Sequence, residues 1–278
     1  MIIDPSSHTP SGATKRPAPI ATVSGAATDV GNTRTLNEDS FLASAPVFAV
    51  ADGMGGHEAG EVASGMAVSA FAHLAGRPSV TVDEARDAFE HAREGVDALS
   101  SDRENGAGTT FAGLLVTEVD GVGYWLAMNL GDSRIYRLAG ETLEQISVDH
   151  SVVQELVDSG RITPEQARRD NRRNVITRAM GAGSVGEADY WVLPAAAGDR
   201  FLLCTDGLSN DVPEERLREV LMTVPQPGQA ALSLVHDALA ASGRDNITAV
   251  VVDALGVTGG EPHNDAESDT KPREAVAR

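Results

Sequence analysis

The chain has 278 residues, 41% of them hydrophobic and 23% charged, enough apolar content for a packed core and too much for a wholly disordered chain. Acids outnumber bases 41 to 22, and the resulting charge of −19 repels phosphate backbones; with aromatics at only 4%, nucleic acid is excluded as a partner. One cysteine, Cys204, excludes an internal disulfide and fits a reducing, cytoplasmic setting.

Residues 1–20 are rich in Pro, Ser and Thr and read as a flexible tail, with no apolar run that could serve as a signal peptide. Val47–Ala51 is a strand-sized apolar run. Glu61–Ala75 places Val62, Ala63, Met66, Ala67, Ala70, Phe71 and Leu74 on one helical face. Thr81–Leu99 is a second amphipathic helix, opened by a Thr81/Glu84 capping box. Strands are expected at Thr109–Val119, Tyr124–Leu130 and Arg134–Leu138, the first two joined by a turn at Asp120-Gly121. Ser151–Asp170 is a polar helical stretch in which Thr163-Pro164 makes a good helix start. Tyr190–Leu193 and Arg200–Thr205 return to strand, Pro213–Met222 and Gly228–Ala241 are helices, and Asn246–Ala254 is a last strand. Residues 257–278 are polar and broken by Gly and Pro, a second flexible tail, which leaves one domain over 21–256. No run approaches the ~20 apolar residues that span a bilayer. Hairpin-joined strands with helices in pairs imply an α+β fold of antiparallel sheets covered by helical layers.

Several apolar runs end on an acid. Val47–Ala51 leads into Asp52-Gly53, Arg200–Thr205 into Asp206-Gly207, and Trp125–Leu130 into Gly131-Asp132, while Asp245 immediately precedes Asn246–Ala254. Any one Asp-Gly is most simply a turn. Four carboxylates at strand ends of one domain form a set that repels itself unless cations neutralise it, and hard oxygen ligands without a Cys or His set select Mg²⁺ or Mn²⁺. Other motifs fail. Gly181–Gly186 spells G-x-G-x-x-G but precedes a strand, His57-Glu58 lacks the second histidine of a zinc-protease helix, and Cys204 sits inside an apolar strand.

Six ordered blocks carry a resemblance over about Thr22 to Leu255: Asn37-Glu38-Asp39-Ser40, Ala51–His57, Gly108-Thr109-Thr110, Gly131–Arg134, Thr205-Asp206-Gly207 and Arg244–Thr248. They resemble the metal-dependent type 2C protein serine/threonine phosphatases, particularly the short bacterial members. The resemblance implies a four-layer α-β-β-α sandwich, two antiparallel sheets flanked by helix pairs. It implies that Asp52 bridges two Mn²⁺ or Mg²⁺ ions, that Asp206 and Asp245 complete one ion's protein ligands, and that the Gly53 carbonyl binds the other. Glu38 and Asp39 would hold metal waters, and Asp132 with Asp206 would support a third, weaker ion. Arg34 takes the place of the family's phosphate-gripping arginine, and Asp149 to Gly181 that of a flap beside the cleft. The implied reaction is hydrolysis of phosphoserine and phosphothreonine in proteins by a hydroxide bridging two ions, reversing a serine/threonine kinase system, with the enzyme acting as a monomer. Where some members carry a histidine proposed as general acid, this chain has Met54. Two alternatives stay open: a phosphohydrolase of small phosphoesters, and a phosphatase-like binding module.

Overall fold

The computed structural model describes residues 17–55, 59–101, 106–181, 183 and 186–258; the expected tails over 1–16 and 259–278, and His57, lie outside the described residues. In chain order the strands are β1 (Ile20–Asp29), β2 (Asp39–Ser44), β3 (Val47–Gly55), β4 (Ala107–Thr109), β5 (Phe111–Val119), β6 (Val122–Leu130), β7 (Arg134–Ala139), β8 (Thr142–Gln145), β9 (Met180–Gly181), β10 (Asp189–Pro194), β11 (Arg200–Cys204) and β12 (Ile247–Val257). The helices are α1 (Ala59–Ser69), α2 (Val82–Ser101), α3 (Val152–Asp158), α4 (Pro164–Ala167), α5 (Asp206–Ser209), α6 (Glu214–Thr223) and α7 (Pro227–Ala241).

Two antiparallel sheets result. One has the order β1-β12-β11-β7-β8; the other runs β10-β6-β5-β3-β4-β9, with β2 also paired to β3. Three apolar layers account for the sandwich. Between the sheets lie Phe48, Val50, Leu114, Trp125, Phe201 and Val250; outside the second sheet, Phe71, Phe89 and Val96 of the α1–α2 segment meet Phe111, Leu126 and Met128. Outside the first, Leu217, Leu221 and Leu234 of α6 and α7 meet Leu202, Ile247 and Val251. The strands read as continuous apolar runs because both faces are buried, and alternation decides only which layer each residue enters. In β3, Val47, Ala49 and Ala51 face the helices while Phe48 and Val50 face the other sheet. The α-β-β-α sandwich is therefore the observed architecture.

Several elements differ from expectation. β1, β2 and β8 carry no long apolar run and were not anticipated; β1 alternates small and half-buried residues and pairs with β12 along its whole length, from Ile20↔Val257 to Asp29↔Ile247. These end pairs extend the paired region to Ile20 and Val257, one residue past each expected domain limit. The first helix begins at Ala59 and ends at Ser69, before a 3₁₀ turn at Ala72–Leu74. The helical stretch over 151–170 is two short helices. Gly160, with φ +68°, ends the first, and a Thr163/Gln166 capping box with Pro164 at the first turn starts the second. The expected strand Thr109–Val119 is interrupted at Thr110, dividing β4 from β5.

Candidate metal and phosphate site

The acids converge because antiparallel pairing brings their strand ends to one edge of both sheets. Asp39 opens β2 and lies opposite Asp52 near the end of β3. Asp132 sits in the crossing from β6 to β7, Asp206 follows β11, and Asp245 precedes β12, where Cys204 pairs with Ala249 and Arg134. A cleft of about 320 Å³ is lined by Arg34, Glu38, Asp52, Gly53, Met54 and Asp132, together with Asp206, Asp245 and Asn246. Every expected site residue except Asp39 lines it, and Asp39 lies directly behind Asp52.

The electrostatics of this cluster are unfavourable for bare carboxylates. Burial, then the charges of Asp39, Asp206, Asp132 and Asp245, pushes Asp52 well above the usual carboxylate range. Asp132 is raised likewise, by burial and then by Asp206 and Asp149. Asp206 is pushed up to about 6 by burial and by Asp245. Asp39 rises to about 7 through burial, although the Thr205 and Thr248 hydroxyls donate to its Oδ2 at 2.8 and 2.7 Å and oppose the shift. Its other oxygen, Oδ1, is buried with no hydrogen-bond partner among the described residues. Burial also raises Glu38, opposed by Arg34 and by the Gly60 amide. An all-oxygen donor set that resists ionisation and holds an orphaned buried oxygen fits a hard divalent cation.

Backbone geometry fixes the donors. A Cβ on Gly53 would lie 2.1 Å from the Gly60 carbonyl oxygen, and one on Gly60 would lie 2.5 Å from Glu38 Oε1. Only glycine at both positions lets β3, α1 and the Glu38 loop meet so closely. Arg34 lies at the rim, half-exposed, with Nη2 donating to Asp245 Oδ2 at 2.9 Å. Met54 lines the same cleft and offers no proton.

Supporting residues given no individual role in the sequence reading complete the site. Thr110 interrupts its strand to hold Asp52: its amide donates to the Asp52 carbonyl at 2.9 Å, and its Oγ1 accepts from the Asp52 amide at 3.0 Å. The same hydroxyl shares a 2.7 Å hydrogen bond with Ser133, beside Asp132. Asn246 accepts from the Glu38 amide at 2.8 Å and donates to the Val30 and Leu36 carbonyls, fixing the loop that carries Arg34. His150 accepts from the Gly131 amide at Nδ1 and donates from Nε2 to Asp189, which ties the flap root to the Asp132 loop. Thr110 and Asn246 lay within the ordered blocks, but nothing local marked them as supports.

Comparison with known proteins agrees with this geometry. The family description "Protein phosphatase 2C" matches residues 32–242. The chain is 42% identical over 236 residues to the serine/threonine protein phosphatase PstP of Mycobacterium tuberculosis, covering 83% of this chain and 44% of that protein. It thus spans less than half the length of that relative. It is 36% identical over 239 residues to the serine/threonine phosphatase stp of Listeria monocytogenes, covering 81% of this chain and 93% of the relative. Among solved structures, M. tuberculosis PstP superposes with a TM-score of 0.78 at 38% identity, covering 84% of this chain and 99% of the other. The PstP catalytic domain in complex with two manganese ions gives 0.76 at the same identity and the same coverage of both chains. The layered sheets, the blocks around the cleft and these matches lead to one conclusion: the chain belongs to the protein phosphatase 2C family.

Proposed function

We infer that this chain is a Mn²⁺- or Mg²⁺-dependent phosphatase of phosphoserine and phosphothreonine in proteins, acting against a serine/threonine kinase system. The observation that carries the reading is the convergence of Asp52, Asp206, Asp245 and Asp132 with Asp39 on one cleft beside the guanidinium of Arg34, where burial and neighbouring carboxylates raise Asp39, Asp52, Asp132 and Asp206 above the usual carboxylate range. Asp52 and the Gly53 carbonyl would bind two ions, Asp206 and Asp245 would complete one of them, and Asp132 with Asp206 would hold a weaker third. When bound, the ions supply Lewis acidity and a nucleophilic hydroxide at neutral pH. Glu38 and Asp39 would orient metal waters through their carboxylates. Arg34 would orient the phosphoryl group as a two-pronged donor, a geometry lysine lacks.

The phosphoprotein reading draws support from the names of the relatives, and the cleft is lined mainly by polar and charged side chains, with Asn174 and Ile176 of the flap among its lining residues. A single buried cysteine, Cys204, suits action in the reducing cytoplasm.

The test is metal removal and return. Chelation should abolish hydrolysis of a phosphothreonine peptide, and millimolar-range Mn²⁺ or Mg²⁺ should restore it. At matched concentrations the peptide should exceed a small alkyl phosphate in kcat/KM. Full activity in metal-free protein refutes the metal reading, and preference for the small ester refutes the protein-substrate reading.

A further inference from the structure

The flap concentrates positive charge on an acidic protein. Residues 161–178 hold six of the 22 basic residues of the chain and only two acids, Glu165 and Asp170, a net +4. With −19 over the whole chain, everything outside this segment carries −23. All six arginines are exposed. Arg172 is tied to Asp170 at 2.8 Å and Arg178 to Asp189 at 3.4 Å. Arg161, Arg168, Arg169 and Arg173 have no carboxylate within ion-pair distance among the described residues.

The band is fixed next to the cleft. Arg172 and Arg173 immediately precede Asn174, which with Ile176 lines the site. Ile176 bridges to Ser151, the Thr177 amide donates to the His150 carbonyl at 2.8 Å, and His150 in turn holds Gly131. The C-terminal end of the segment, which carries Arg172, Arg173 and Arg178, is thus tied through two hydrogen-bonded steps to the loop of Asp132. Four guanidinium groups on one segment, without a carboxylate partner among the described residues, concentrate like charge, an arrangement that an incoming anion relieves.

We propose that the arginine band of the flap docks acidic sequence flanking the phosphorylated residue, so that the substrates of this enzyme are phosphoproteins with Asp, Glu or further phosphoresidues beside the scissile phosphate. This rests on the phosphatase reading above and narrows its substrate class. A short acidic segment can follow the band into the cleft while avoiding the acidic remainder of the surface. A bilayer or a nucleic-acid duplex is too extended to do so, and its neighbouring charges would meet the −23. The attraction acts through solvent over about a Debye length, ~8 Å at physiological salt, so it raises capture of substrate more than turnover.

The experiment uses the Mn²⁺-loaded protein and three phosphothreonine peptides of equal length with acidic, neutral or lysine flanks, alongside an aryl phosphate. Acidic flanks should raise kcat/KM about tenfold over neutral ones at low salt, chiefly through KM, with the advantage vanishing toward about 0.5 M NaCl. Replacing Arg161, Arg168, Arg169 and Arg173 together by serine should remove the preference, and replacing the same four by lysine should keep it. Equal kcat/KM for the three peptides, or a preference that survives the serine variant, overturns the proposal and leaves the phosphatase reading standing. Turnover of the aryl phosphate with none of any phosphopeptide overturns both. Binding of the flap to anionic phospholipid vesicles without peptide preference overturns it in favour of a membrane surface.

Discussion

Arg34 and Asp206 line one cleft, and the chemistry asks different things of them. Arg34 reaches across the rim to Asp245 through a half-exposed ion pair, a contact of low energetic worth that a phosphate oxygen can replace. Asp206 lies within the carboxylate cluster, where Asn210 donates to its Oδ2 at 3.1 Å and Asp245 repels it. Arg34→Ala should therefore raise KM about tenfold and leave Mn²⁺ affinity within a few-fold, since it removes a charge-assisted contact to substrate. Asp206→Asn should lower kcat about a hundredfold and weaken Mn²⁺ binding, the scale seen when metal-site partners are changed. Steady-state kinetics with calorimetric Mn²⁺ titration of both variants checks the split. An unchanged KM in the first, or unchanged metal affinity in the second, removes that residue from its role.

The elements that hold these residues are close-packed in ways that a hydrophobic count does not report. β1 lies under α7 with backbone against backbone: a Cβ on Gly25 would sit 2.2 Å from the Gly228 nitrogen and 2.3 Å from its Cα. The reverse is open, since a Cβ on Gly228 meets only the Gly25 Cα at 4.0 Å. Gly25→Ala should consequently cost on the order of 1–3 kcal/mol by overpacking, whereas Gly228→Ala should leave stability nearly unchanged. Thermal unfolding of the two variants makes the comparison, and equal Tm values would mean that α7 lifts from β1 at little cost. Between the sheets, buried Asp199 accepts from Trp125 Nε1 at 3.2 Å and from Arg137 Nη2 at 2.7 Å. A charge in that apolar layer is tolerated because it is both paired and hydrogen-bonded.

For the molecule as a whole, the carboxylate cluster couples stability to pH and to metal. Asp39 and Asp206, at about 7 and about 6, lie above the ordinary carboxylate value of 3.8. The folded protein then binds more protons than the unfolded chain between the two ranges. Stability of metal-free protein from these groups is fully present below about pH 4 and is lost as pH rises through about 6 to 7. Divalent ions need the deprotonated carboxylates, so the gain from metal runs the other way. At a hundredfold excess over Kd, Mn²⁺ should add about 2.7 kcal/mol, a Tm increase on the order of 5–10 °C, at pH 8 and much less at pH 5.5. Tm measured with chelator and with Mn²⁺ at both values tests this, and equal gains would show that these acids do not take the metal.

Much of this architecture could be read from one chain because its signals are local. The apolar runs at Val47–Ala51 and Arg200–Thr205, the Thr81/Glu84 cap, the Thr163-Pro164 helix start and the Asp120-Gly121 turn each depend on a few neighbouring residues, and each appears in the structure. The acids at strand ends were visible for the same reason. Convergence was not visible, because it depends on register between distant strands: the Thr248 hydroxyl meets Asp39 across 209 positions. β1 is hard to read because it is mostly Ala, Gly, Ser and Thr, and β2 because its apolar stretch is only Phe41-Leu42-Ala43, none of it fully buried. Composition and pattern determined that this chain makes antiparallel sheets under helices with acids at the strand ends. Tertiary packing alone decided that Thr110 and Asn246 hold the site, that Thr205 and Thr248 take one oxygen of Asp39, and that Asn174 and Ile176 of the flap line the cleft, since each of these is a meeting of segments that share no local pattern.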